Sequence, residues 1–276
     1  MTALAAGLTA LCPLRNFLTA PDEIRSTESI DETPGSAVRW AILRSAQGKR
    51  DPRIGDHHDE DPDVALGRKM QEASHRGGVP IEFWFDFASG YAYFAALEIE
   101  ALAERHGRTV AWRPFTLGAA FKVTGVQGLS RTPLKRDYAR RDWQRLSRLK
   151  GVPFNLPENH PRTGLPAIRA FYHLERKDAD AAAALAKRII VGYFQNDLDT
   201  DDPNAIAAAA APLGIDGDMI LAGISDPEVK LIAREQSEHA VARGVFGSPW
   251  IFVDGEPFWG SDRLPMVERW LAEGPW

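Results

Sequence analysis

The sequence predicts an α/β fold in which a β-α-β unit and a β-β-α unit enclose a helical block. Three observations predict it. Residues 80–97, PIEFWFDFASGYAYFAAL, pass from an apolar, aromatic segment of strand length straight into a helical pattern. Residues 118–244 are rich in alanine and in apolar residues at helical spacing. From Trp250 the chain reads strand, Asp254-Gly255 turn, strand and helix. No internal repeat is found.

In chain order, Ile81, Phe83, Trp84, Phe85 and Phe87 predict a buried first strand over residues 81–87. Ala88-Ser89-Gly90 is the turn, with Ser89 at the N-cap position of the next helix. Tyr91, Phe94, Ala95, Leu97, Glu98 and Leu102 predict one helix over residues 90–106, ended by Gly107 as a C′ glycine. Val110 and Trp112 share a face of a second strand, residues 109–113, which Pro114 stops. Residues 136–150 form a basic amphipathic helix. Residues 152–166 form a loop, because four prolines with Asn155, Asn159 and Gly164 forbid a long helix. Helices follow at 167–176, 179–196 and 204–213, and Ser-Asp-Pro opens one long helix over 225–243. Trp250–Val253 and residues 257–259 are the last strands, Pro257 marking an edge or entry position. Residues 262–273 are the final helix.

Residues 1–78 lack this periodicity. IDETPGSAV, GKRDPRIGDHHDEDPD and ASHRGG are rich in charge, Pro and Gly, which predicts a disordered extension apart from a short helix over 37–46. His57 and His58 beside Asp59, Glu60 and Asp61 have no helical or strand frame to fix ligand geometry, so a solvated acidic loop is expected there and no metal site. Met70 precedes the first convincing strand. A start there would leave 276 − 69 = 207 residues and make the first 69 an upstream translation artefact.

Composition narrows the function. A net charge of −5 excludes the strongly basic surface of a nucleic-acid binder. No apolar run reaches the roughly 18 residues of a membrane span. Cys12 is the sole cysteine, so neither an internal disulfide nor a C-x-x-C pair exists. That usage suits a reducing compartment and predicts the cytoplasm. The opening MTALAAGLTALCPLRNF lacks the basic n-region of a signal peptide, since Arg15 follows its apolar run.

Candidate chemistry gathers at three turns. A strand running directly into a helix at Ser89 aims backbone N–H groups and the positive helix end at one point, where an anion can sit. Locally, Ser89 reads as an N-cap; no His/Asp pair at triad spacing makes it a covalent nucleophile. Ser248-Pro249 reads as a strand-entry turn. Gly260-Ser261-Asp262-Arg263 follows a strand and opens a helix, with Asp262 suited to the helix dipole.

Taken together, FWFDFASGYAY, GVFGSPWIFVDGE, FWGSDRL, RPFTLGAAFKVTG and the K-x-x-Y-x-x-x-D of Lys135, Tyr138 and Asp142 resemble the 2-hydroxychromene-2-carboxylate isomerases and kappa-class glutathione transferases. The similarity spans about residues 79–271. It implies a thioredoxin-like fold of the DsbA type with a large all-helical insertion after the second strand. Residues 79–117 and 245–276 would form the thioredoxin-like domain and 118–244 the insertion. DsbA-type oxidoreductases place C-x-x-C where this chain has Ser89-Gly90-Tyr91-Ala92, so thiol–disulfide exchange lacks its nucleophile.

The resemblance implies that Ser89 donates a hydrogen bond to the sulfur of glutathione, raising the thiolate fraction of a thiol whose ordinary pKa is about 8.5. It implies a cis bond before Pro249, with Ser248 N–H and C=O pairing the cysteinyl backbone of glutathione. It gives the γ-glutamyl carboxylate to Ser261, the ammonium to Asp262, and either partner to Arg263. Lys135 would meet the glycyl carboxylate or an anionic substrate. Where the family often carries Asn after the glycine matching Gly125, this chain has Val126, which removes one substrate hydrogen bond. Phe121, Trp250 and Trp259 are pocket or core residues. The implied activity is a glutathione-dependent isomerase acting on a small aromatic or chromene carboxylate, as a homodimer. A kappa-type transferase and a non-catalytic thioredoxin-like binding protein are the alternatives.

Overall fold

The structure is a computed structural model and describes residues 78–276. All of these fall within one compact unit, Glu60–Trp276. The expected helix at 37–46 and the His57–His58 cluster lie outside the described residues.

β1 (Ile81–Phe85) leads to α1 (Gly90–Ala96), α2 (Ile99–Arg105) and β2 (Val110–Pro114). Then come α3 (Leu117–Thr124), α4 (Lys135–Lys150), α5 (Leu165–Glu175), α6 (Ala179–Asn196), α7 (Pro203–Ala210), α8 (Gly217–Ser225) and α9 (Pro227–Ala242). β3 (Trp250–Val253), β4 (Glu256–Trp259) and α10 (Leu264–Glu273) close the chain. The sheet order is β2-β1-β3-β4. β1 pairs parallel to β2 and antiparallel to β3, and β3 pairs antiparallel to β4. Every helix from α3 to α9 lies between β2 and β3 in sequence.

β1 is central and buried on both faces. Its alternation sends Ile81, Phe83 and Phe85 into the main core with α1, α5 and α6, and Trp84 into a second cluster with Phe115, Trp250 and Phe252. Burying each such aromatic contributes roughly 1.5–3 kcal/mol relative to exposure. The junction after β1 is thus fixed by a strand held from both sides.

Some boundaries differ from expectation. The helix predicted over 90–106 is two helices, because Glu98 N–H bonds Ala95 C=O (3.0 Å) and its φ of −120° breaks the helical path. β2 runs one residue further, pairing Pro114 with Phe85. The helix predicted over 225–243 begins at Pro227. Ser225 ends α8, which is not among the helices the sequence predicts. Asp226 serves both, its N–H closing α8 on Ala222 C=O and its side chain capping α9 at Glu228 N–H (2.8 Å). Pro227 pushes Asp226 out of the α region, which separates the two helices. The last helix is a 3-10 turn, Ser261–Arg263, followed by α10.

Candidate active site

The end of β1, the start of α1 and the loop before β3 meet at one hydrogen-bond cluster. Ser89 caps α1 with φ −87° and ψ 111°, its Oγ accepting from Ala92 N–H (3.2 Å). The same hydroxyl donates to the Ser248 carbonyl oxygen at 2.8 Å. The Ser248–Pro249 peptide bond is cis. Ser248 Oγ in turn accepts from Asp86 N–H (2.9 Å). The Ser248 C=O expected to pair with a ligand backbone therefore already accepts one hydrogen bond within the protein.

Asp86 ties a third element to this point. Its carboxylate accepts from Ala88 N–H and from Leu117 N–H at the start of α3, both at 2.8 Å. Desolvation outweighs these two bonds and pushes the Asp86 pKa up to about 6. Sequence reasoning missed Asp86 as a functional group, although an acid closing a buried aromatic strand was a visible signal.

Pro249 C=O accepts from Gly260 N–H (3.0 Å), so the cis-proline turn is joined to the Ser261–Arg263 turn. Gly260 has φ +112°, and Asp262 folds back so closely that a Cβ there would lie 2.4 Å from its Oδ1. α1 packs against this turn, and the Asp262 charge reaches Tyr91. Tyr91 O–H donates to Asp142 Oδ2 (2.9 Å), which gives one member of the Lys135, Tyr138, Asp142 motif a partner beside Ser89.

Ser89, Asp86 and Ser248 line a cleft of about 1280 Å³. Phe121, Val126 and Trp143 supply apolar wall, and Lys122, Arg131, Arg169 and Lys230 make it basic. Among the described residues the Nε of Arg169 is buried without a hydrogen-bond partner. Glu238, ion-paired to Arg234 (3.6 Å), and Asp86 are the acidic groups of the lining.

Not every expected residue reaches this cleft. Lys135 is exposed at the first position of α4 and does not line it. Ser261, Asp262 and Arg263 stand next to α1, outside the lining. Trp250 is buried in the second core cluster, and Trp259 is 54% exposed and covers Gly247. Neither is a wall of the cleft. Among the described residues no helix is long and apolar enough to cross a membrane, and no group of three or more His, Cys, Asp or Glu is placed to hold a metal ion.

A family model for the DsbA-like thioredoxin domain matches residues 80–272. The chain belongs to the DsbA-like thioredoxin family. Within it, the chain groups with the 2-hydroxychromene-2-carboxylate isomerases and kappa-class glutathione transferases. It is 30% identical over 195 residues to the 2-hydroxychromene-2-carboxylate isomerase of Sphingobium xenophagum, covering 70% of this chain and 98% of that protein. It is 26% identical to glutathione S-transferase kappa 2 of Caenorhabditis elegans, over 70% of this chain and 92% of that one. A solved 2-hydroxychromene-2-carboxylate isomerase structure matches with a TM-score of 0.65 at 26% identity, over 70% of this chain and 95% of that chain. The family fold is thioredoxin-like, and in this chain the helical insertion separates β2 from β3.

Proposed function

We propose that the protein is a glutathione-dependent isomerase of the 2-hydroxychromene-2-carboxylate type, active in aromatic-compound catabolism. The observation that carries this reading is the Ser89–Ser248 contact beside a cis-proline, opening on a basic cleft. The kinship with isomerases and kappa-class transferases supports it.

The donor set fits glutathione. Cys12 is the only cysteine of the chain, and a serine hydroxyl stands where a disulfide oxidoreductase has its thiol, so the sulfur comes from a bound molecule. Ser248 and Pro249 would hold the cysteinyl portion. Ser261, Asp262 and Arg263, tied to Pro249 through Gly260, would hold the γ-glutamyl end. Lys135 is left without a part at the cleft, and Lys122 and Arg131 take over the cationic role expected of it. When bound, glutathione supplies a thiolate that adds reversibly to a conjugated ring system and leaves after bond rotation, so it is regenerated.

The chain's own groups do the rest. Ser89 turns its O–H from Ser248 C=O to the sulfur, which favours the thiolate by direct hydrogen bonding. The exchange replaces one hydrogen bond with a stronger charge-assisted one. Arg169 faces the substrate carboxylate. The apolar wall of Phe121 and Val126 takes the aromatic ring and excludes water from the reacting atoms.

The test is turnover of a chromene carboxylate with glutathione far below substrate. Many turnovers with glutathione recovered support the isomerase. Stoichiometric consumption makes the protein a kappa-type transferase, and binding without turnover makes it a thioredoxin-like binding protein.

A further inference from the structure

We infer that Ser130 is a hydrogen-bond donor on the substrate wall of the cleft, held in that role by His160 and Tyr193; this rests on the isomerase reading and deepens it. Its target is an oxygen of a small aromatic oxyacid, the one that gains negative charge as the ring system accepts an electron pair.

The geometry is a directed chain. Ser130 sits in the 3-10 turn Leu129–Arg131 and lines the cleft. Its Oγ is 2.6 Å from His160 Nε2, and His160 Nδ1 is 2.9 Å from the Tyr193 hydroxyl. Tyr193 is fully buried on α6, and its oxygen accepts from Arg162 N–H (3.3 Å). Among the described residues the phenolic proton then has one acceptor within reach, His160 Nδ1. A neutral imidazole accepting at Nδ1 carries its proton on Nε2. Nε2–H therefore donates to Ser130 Oγ, and the Ser130 proton is left to face the cleft.

The surroundings keep the imidazole neutral and still. Trp143 lies edge-on at 5.9 Å, and Phe194 packs at 6.2 Å. Arg140 and Arg162 are the charged groups facing it; burial first, and these two cations second, bring the His160 pKa down to about 4. The loop carrying His160 is pinned next door, with Arg162 paired to Asp197 and Asp199, and Asp201 accepting from Thr163 and Gly164 N–H groups. On the cleft wall itself Val126 and Leu129 put apolar side chains beside Ser130, and Gln127 and Arg131 are the other polar lining residues of that stretch.

A nucleophilic role for Ser130 does not fit this chain. It requires a lone pair on Nε2, and the Tyr193 donation places a proton there. Ser130 keeps its own proton, no bond to Oγ forms, and the charge it meets is on substrate oxygen.

The test uses the full-length protein with Ser130→Ala, Ser130→Thr and Tyr193→Phe. Ser130→Ala should lower kcat for a chromene carboxylate about 100-fold, the usual effect of removing one oxyanion donor. Glutathione affinity should stay within about twofold, and Ser130→Thr should restore most of the rate. Salicylate, an unreactive aromatic oxyacid, should bind Ser130→Ala about tenfold more weakly than wild type by calorimetry. Nitrogen NMR should place the His160 proton on Nε2 in wild type, and Tyr193→Phe should shift it toward Nδ1. Wild-type salicylate affinity in Ser130→Ala, a proton on Nδ1 in wild type, or covalent labelling of Ser130 by a fluorophosphonate would each overturn the assignment whether or not the protein turns over. Loss of glutathione-dependent turnover in wild type would instead overturn the isomerase reading.

Discussion

The Ser89 hydroxyl donates to the Ser248 carbonyl oxygen at 2.8 Å, joining positions 159 residues apart in the chain. One oxygen atom both caps α1 and locks the cis-proline turn to it. A ligand sulfur that takes this proton competes with a single, replaceable contact.

Ser89→Ala removes the cap and the contact together. Stability should fall by about 1 kcal/mol, the typical loss for an N-cap, and glutathione-dependent turnover by about 100-fold. Urea unfolding read beside steady-state rates separates the effects. Unchanged catalysis would remove Ser89 from the site.

Gly90 allows Trp143 to lie against the start of α1. A Cβ there would approach Trp143 Cε2 to 2.6 Å. Trp143 is buried and shares the aromatic cluster of Tyr91 and Phe154, so it has little room to retreat. Gly90→Ala should cost about 1–3 kcal/mol by overpacking, with a changed tryptophan emission spectrum. Wild-type unfolding midpoints would mean that the ring moves freely.

Gly260→Ala puts a side chain at φ +112° and 2.4 Å from Asp262 Oδ1. Asp262 must then leave its position. If that turn holds the γ-glutamyl end, glutathione affinity should drop at least tenfold while the β-hairpin stays folded. Calorimetric titration checks the affinity, and circular dichroism checks the fold.

Asp86 and His160 set opposing pH dependences. The Asp86 pKa is raised to about 6 from an ordinary 3.8, so the folded state holds its proton more tightly. Its contribution is present below about 3.8 and lost as pH rises through about 6. The His160 pKa is lowered to about 4 from 6.5, so its contribution is present above about 6.5 and lost as pH falls through about 4. Subtracting the pH–stability curve of Asp86→Asn from that of wild type isolates the first. That difference should decline between about pH 4 and 6 and level off above. A flat difference would show an unperturbed Asp86.

Much of the fold was legible because β1 writes its burial into sequence. A strand covered on both faces must be apolar at every position that meets a core, and Phe83, Trp84 and Phe85 are. The Asp254-Gly255 hairpin was legible for a local reason: Asp254 (φ 52°) and Gly255 (φ 91°) both adopt the left-handed backbone that such a turn requires. The boundary at Asp226 is hard to place from sequence because Ser, Asp and Pro are all helix starters, and only the packing of α8 decides which of them caps. α8 is only nine residues long, which leaves its apolar run too short to stand out in the sequence.

The sequence by itself determined the order of strands and helices, the serine in place of a thiol and the three turns that make a candidate site. These are local properties, set by side-chain chemistry, backbone freedom and period. The tertiary structure decided which of those turns touch. It brought Ser248 to Ser89, kept Lys135 away from the cleft, and assembled Ser130, His160 and Tyr193 from a 3-10 turn, a proline-rich loop and a helix. No local pattern encodes that chain, because each member is an ordinary residue in its own segment. Its direction comes only from which donors and acceptors remain once the helices have packed.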